Sequence, residues 1–201
     1  MITTERCSGS WTTTPEGQAL LLDRFQRGDD HGDMRVALAY SLDGSHFFEW
    51  SDIQGEDDPL IRGALIHLAK SEGGVRGAQL IASALSDPSD WVRSEAARLA
   101  GYLPATSEVE SALFTTLQDN TAAVRGLSAR SLGWHKSSEA FDRIVPLLRD
   151  AEPEVVDHAL KALAKIDTKR TQSLPIVAEL ASSPYPRIAE RAARIQATES
   201  P

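Results

Sequence analysis

The sequence predicts an all-α chain in which short helical hairpins, about five to six of them, stack into one superhelix. Three observations predict it. A segment of about 31 residues recurs along the chain. Apolar residues inside each copy are spaced for one face of a helix. The first five copies open on an acidic residue, twice with an Asp-Pro at or just after it, where one helix must stop and the next can be capped.

Three copies align most fully: DPSDWVRSEAARLAG from Asp87, DNTAAVRGLSARSLG from Asp119 and DAEPEVVDHALKALA from Asp150, with starts 32 and 31 residues apart. Counting each start as zero, an aliphatic residue stands at five (Val92, Val124, Val155), with Arg93 and Arg125 following at six. Small or apolar pairs follow at nine and ten, and Gly101, Gly133 or Ala164 closes the segment at fourteen. The same register fits, less completely, from Asp29, Glu56 and Ser183.

Taken from the N-terminus, residues 1–13 are expected to be a flexible segment and 14–198 one solenoid, with units starting near 29, 56, 87, 119, 150 and 183. Thr14-Pro15-Glu16 before QALLLDRF is a capped helix start that would close the stack. The unit from Asp29 places Met34, Arg35, Leu38, Ala39 and Leu42 in register, although RVALAYSL, Asp43-Gly44 and SHFFEWS also suit a β-hairpin. Helix is the preferred reading. From Glu56 the register finds Ile61, Arg62, Leu65, Ile66 and Ala69.

Second helices follow short loops. Their buried stripes are Val109, Ala112, Leu113, Thr116 and Leu117; then Phe141, Ile144, Val145 and Leu148; then Leu174, Val177 and Leu180. Pro146 and Pro175 fall within the first two turns, where a missing N–H costs little. A single hairpin buries one face only, so its stripe must meet the next unit and stability is shared along the stack.

Net charge is −8, and residues 1–60 hold 12 acids against four bases, leaving 17 of each sign in the remainder. The excess at one end repels nucleic acid and anionic lipid and attracts a basic surface. Cys7 is the only cysteine, which excludes an intramolecular disulfide and a four-cysteine zinc site. With no apolar run near the length of a signal peptide core or a bilayer span, a cytoplasmic protein is expected.

The string WVRSEAARLAG, with DRIVPLLRD after it, resembles the HEAT-like repeats of phycobilin lyases and many small bacterial proteins. The resemblance covers residues 56–198 and, more weakly, 29–55. It implies a right-handed α-α superhelix, with aligned Asp and Arg forming structural ladders. Arg35, Arg62, Arg93 and Arg125 match that pattern, whereas Val156 and Ala189 interrupt it. Second helices line the concave side in the family.

Catalytic chemistry finds no foothold in the motifs. The five histidines (His31, His46, His67, His135, His158) are scattered, with no HExxH helix and no metal-ligand spacing. HEAT-type di-iron hydroxylases depend on His-Glu pairs that this sequence lacks. Asp29-Asp30-His31-Gly32-Asp33 has no EF-hand spacing and suits a helix-entry loop. Neither a Gly-x-Ser-x-Gly elbow nor a phosphate-binding glycine loop occurs. Trp91 and Trp134 could stack on DNA as in HEAT-like glycosylases, but such a protein needs a basic channel, so packing between hairpins is the preferred role.

The expectation is therefore a non-catalytic protein-binding module, without cofactor or metal, monomeric on its own and binding a partner with a basic surface rather than nucleic acid or membrane. Candidate contacts on the second helices are Arg76, Gln79, Glu108, Ser111, Asp142, Arg143, Gln172 and Glu179. At the acidic end they are Phe47, Phe48, Glu49, Trp50, Asp52, Asp57 and Asp58, with His46 beside them. A small bacterial inhibitor or immunity protein fits this pattern. A phycobilin-lyase-like chromophore handler and an adaptor of a larger assembly are the alternatives.

Overall fold

The computed structural model describes residues 14–27, 41, 53–67, 69, 70 and 73–197, which are all helix, turn or loop. The unit from Asp29 lies outside them apart from Ser41 and residues 53–55, and so does the choice between helix and hairpin for 34–50 apart from Ser41, which is helical. The helices are α1 (Pro15–Arg27), α2 (Pro59–Leu65), α3 (Gly74–Ala84), α4 (Asp90–Ala100), α5 (Ser107–Thr116), α6 (Ala122–His135) and α7 (Ala140–Ile144). A 3-10 segment (Val145–Arg149) continues α7, followed by α8 (Pro153–Ile166), α9 (Thr168–Gln172), α10 (Pro175–Leu180) and α11 (Pro186–Ala197).

These elements make two layers. The first helices α2, α4, α6, α8 and α11 pack each on the next, and the second helices return behind them, α3 on α4 and α5, α5 on α6, and the 3-10 segment on α8. The stack is an all-α HEAT-like solenoid. One continuous core runs from Leu21 and Phe25 of α1 to Ile195 of α11, with Ile61, Leu99, Leu113, Leu132, Phe141 and Leu160 buried along it. The aliphatic residues at position five, Ile61, Val92, Val124, Val155 and Ile188, are all buried.

The acid that opens each of three units, Asp87, Asp119 and Asp150, does two jobs. Asp87 Oδ1 accepts from Ser89 N at 2.8 Å, Asp119 Oδ1 from Thr121 N at 2.8 Å and Asp150 Oδ1 from Glu152 N at 3.0 Å, ordering the chain just before the helix. The same carboxylates receive two nitrogens from the arginine of the preceding unit: Arg62 on Asp87, Arg93 on Asp119 and Arg125 on Asp150. Each arginine also donates through Nη1 to two carbonyls at its own unit's start, as Arg93 does to Asp87 and Pro88. This is the ladder the resemblance implies, with a bidentate, charge-assisted rung at three successive seams. Where Val156 interrupts it, the buried Asp157 instead gathers Lys161, Arg187 and Arg191, joining α8 to α11.

Close helix approach explains the glycine that closes two units. A Cβ on Gly133 would stand 2.6 Å from Ala162 Cα, so α6 and α8 meet backbone to backbone there. On Gly101 it would stand 2.6 Å from the Trp134 ring, so the indole of one unit rests against the helix end of the unit before. Trp91 reaches back to Gly63 in the same way yet stays 44% exposed, more open than the inter-hairpin packing expected of it.

Two second helices differ from expectation. DRIVPLLRD does not form one α-helix: the α geometry stops at Ile144, and Val145–Arg149 is 3-10, because Pro146 supplies no N–H and its ring crowds the preceding turn. The second helix before Ser183 is likewise split into α9 and α10, with Leu174 extended (ψ 120°) ahead of Pro175.

Candidate functional site

The second-helix layer opens between α5 and α7. Ser107, Glu110, Ser111, Phe114, Thr115 and Gln118 from one side and Glu139 and Arg143 from the other line a groove of about 560 Å³. Thr106 caps α5 by accepting from Val109 N at 3.3 Å, which fixes the helix start that carries Glu108 and Glu110. The Val109, Leu113 and Thr116 stripe buries the other side of the helix. Glu108, fully exposed, is held below the usual carboxylate range by hydrogen bonds from its own backbone N–H and from Thr106 and Ser107. In the groove Arg143 stacks over the Phe114 ring at 4.5 Å and pairs with Glu139 at 3.1 Å. The one cation of the lining is thus engaged by a carboxylate, while Glu110 adds uncompensated negative charge.

Of the sequence candidates, Ser111 and Arg143 meet in this groove, and Glu108 is exposed on the same helix. Asp142 turns to the next unit and pairs with Arg170. Glu179 lies 3.6 Å from Arg149. Gln172 is spent on packing, its Nε2 donating to the Ile195 carbonyl at 2.8 Å. Arg76 and Gln79 are exposed on α3 and do not line the groove. Asp58 caps α2 by accepting from Leu60 N at 2.8 Å, and the carbonyl of exposed Asp57 accepts from Arg62. Phe47, Phe48, Glu49, Trp50 and Asp52 lie outside the described residues, as does His46.

The other layer carries a feature that the motif search passed over. Eleven residues after the last five starts stand His67, Arg98, Arg130, Lys161 and Arg194, and fifteen after the starts at 87, 119 and 150 stand Tyr102, Trp134 and Lys165. The repeat register contained this cationic row, although the only polar positions aligned across units were the acid at zero and the arginine at six. In the structure Tyr102 and Trp134 meet edge to face at 5.0 Å, with Lys70 over the tyrosine ring at 4.9 Å. Arg130 and Lys165 lie over the indole at 5.0 and 5.5 Å. Glu95 sits between Arg98 and His67, and its pKa is lowered to about 2, first by the hydrogen bond to His67 and then, against the cost of burial, by that to Arg98. Arg130 has no such acid: its Nε and Nη2 are buried without a hydrogen-bond partner, and burial lowers its pKa. Nearby His158 leaves Nδ1 unpartnered, with its pKa lowered by burial and then by Arg130 and Lys161.

Among the described residues no group of three or more His, Cys, Asp and Glu side chains could hold a metal ion, and no helix is long and apolar enough to cross a membrane.

A family model described as HEAT repeats matches residues 77–156 and 110–197, which together run over more than half of the chain. No curated protein sequence matches it. Among solved structures, the complex of CpcE and CpcF of phycocyanin lyase from Nostoc sp. PCC7120 is similar at TM-score 0.63 and 16% identity, over 96% of this chain and 79% of that one. A designed armadillo repeat protein in complex with the peptide (KR)4 is similar at TM-score 0.54 and 15% identity, over 92% and 95% of the two chains. An engineered protein of 16% identity gives TM-score 0.57 over 92% and 90%. At such identities these likenesses concern the fold alone.

Proposed function

Because the chain belongs to the HEAT repeat family, we propose that it is a non-catalytic protein-interaction scaffold that holds a basic segment of a partner in the second-helix groove, with its acid-rich N-terminal end helping to attract that partner. The groove between α5 and α7 carries the reading. It is polar, it offers Phe114 as an apolar floor, and its lining has Glu110 and Glu139 against Arg143 alone. A lysine or arginine side chain entering it finds the Glu110 carboxylate beside the stacked Arg143 and Phe114. The 12 acids of residues 1–60 would steer such a partner toward the scaffold. A bacterial inhibitor or immunity protein is the form in which the groove and the acidic end cover a basic active site. An adaptor differs from it only in leaving the partner's activity unchanged.

The test is titration of the full chain with a fluorescent (Lys-Arg)4 peptide at two salt concentrations. Binding should weaken with salt, and Glu110→Gln with Glu139→Gln should weaken it roughly five-fold, the size of two surface ion pairs. Unchanged affinity in both comparisons would remove the groove as the site. Asp57→Lys should slow association more than it speeds dissociation, because that acid is exposed and acts at a distance.

A further inference from the structure

We propose that the first-helix face around Arg130, Trp134 and Tyr102 is a second docking surface, and that its occupant is an extended acidic peptide segment of a protein. It goes beyond the scaffold reading above, since it lies in the other layer and selects the opposite charge. Three observations converge on it.

The local charge is opposite to that of the whole. Lys70, Arg130 and Lys165 lie over two adjoining aromatic rings, and Arg98 stands near Arg130 paired with Glu95, in a chain of net charge −8. Elsewhere in the first-helix layer the cations are answered: Lys161 and Arg191 by Asp157, and Arg62, Arg93 and Arg125 by the ladder. Arg130 is the exception. Two of its nitrogens are out of water with no acceptor, a costly state for a charged group. A carboxylate arriving over the rings would draw the guanidinium outward by a rotation of its outer torsions and form the two-pronged pair that the ladder arginines already have. The exposed edge of Tyr102, 51% open, supplies the apolar contact beside it.

The repeat then fixes the form of the ligand. Neighbouring helices packed through small residues lie roughly 8–10 Å apart, and an extended chain rises about 3.3 Å per residue. A peptide crossing the helices therefore meets a new one every third residue, passing Arg98, Arg130 and Lys165 in turn. A nucleic acid strand fits less well, because it carries a charge at every nucleotide and would set phosphates against Glu95 and Asp157, whereas a peptide can place its acids only at every third residue, opposite the cations.

The experiment titrates the full chain with labelled (Glu-Gly-Ser)4, with (Gln-Gly-Ser)4, and with a single-stranded oligonucleotide of equal charge. The glutamate peptide should bind at least ten-fold more tightly than the glutamine peptide. Arg130→Gln should abolish most of that difference without lowering the melting temperature, whereas Arg130→Lys should retain part of it. Equal binding of the two peptides, indifference to Arg130→Gln, or tighter binding of the oligonucleotide would each overturn the proposal. The (Lys-Arg)4 titration of the Arg130→Gln protein separates this surface from the groove, since groove binding should be unaffected.

Discussion

At the scale of single residues, the rungs between units are the interactions most open to test. Asp119 is partly buried, and although burial alone would raise its pKa, the hydrogen bonds from Arg93 and from the backbone of Thr121 bring it below its ordinary value. Removing its charge by Asp119→Asn leaves Arg93 facing a neutral amide and should cost about 2 kcal/mol in urea denaturation. Asp150, held low by Arg125, and Asp157, where burial is outweighed by Lys161 and Arg191, behave alike. Each of these acids, and Glu95, binds its proton less readily folded than unfolded. Their contribution is therefore complete above the unfolded carboxylate range and is lost as pH falls, for Glu95 between about 4.5 and about 2. Unfolding free energy should decline from pH 5 downward, and Glu95→Gln should flatten that decline. Arg130→Met makes the contrasting case: it removes a desolvated, unpartnered cation and keeps contact with Trp134, so the melting temperature should hold or rise. A fall would mean that Arg130 is structural.

At the scale of elements, helix ends and seams decide what the sequence could and could not disclose. Alternation of apolar and small residues located α4, α6 and α8 and their buried faces, because a period of 3.6 is a local property. The break at Pro146 was harder to place. A proline there is compatible both with an α-helix start and with a 3-10 continuation, and packing against α8 selects the second. The groove required two helices from different units to be set side by side, so Ser111 and Arg143 could be named singly but not joined, and Glu110 and Glu139 were missed. Two substitutions test the element account. Gly133→Ala should cost about 1–3 kcal/mol by driving a methyl into Ala162. Lys136→Gly should stabilise by about 1 kcal/mol, because Lys136 ends α6 in the left-handed region at φ 52°. Chemical denaturation reads both.

At the scale of the molecule, stacking of units through ladder and glycine seams produces two faces with different charge. The second-helix groove carries acids over a phenylalanine, and the first-helix row carries cations over a tryptophan and a tyrosine. A scaffold of this kind gains specificity from where its repeats place unlike side chains, while identical positions between them hold the stack together. The measurement that tests this most directly is amide chemical-shift mapping of the full chain as (Lys-Arg)4 is added. Shifts concentrated in residues 107–118 and 139–143, with the Trp134 indole unmoved, are predicted. Shifts spread over the surface, or centred on the first-helix face, would contradict the assignment of the groove to a basic partner.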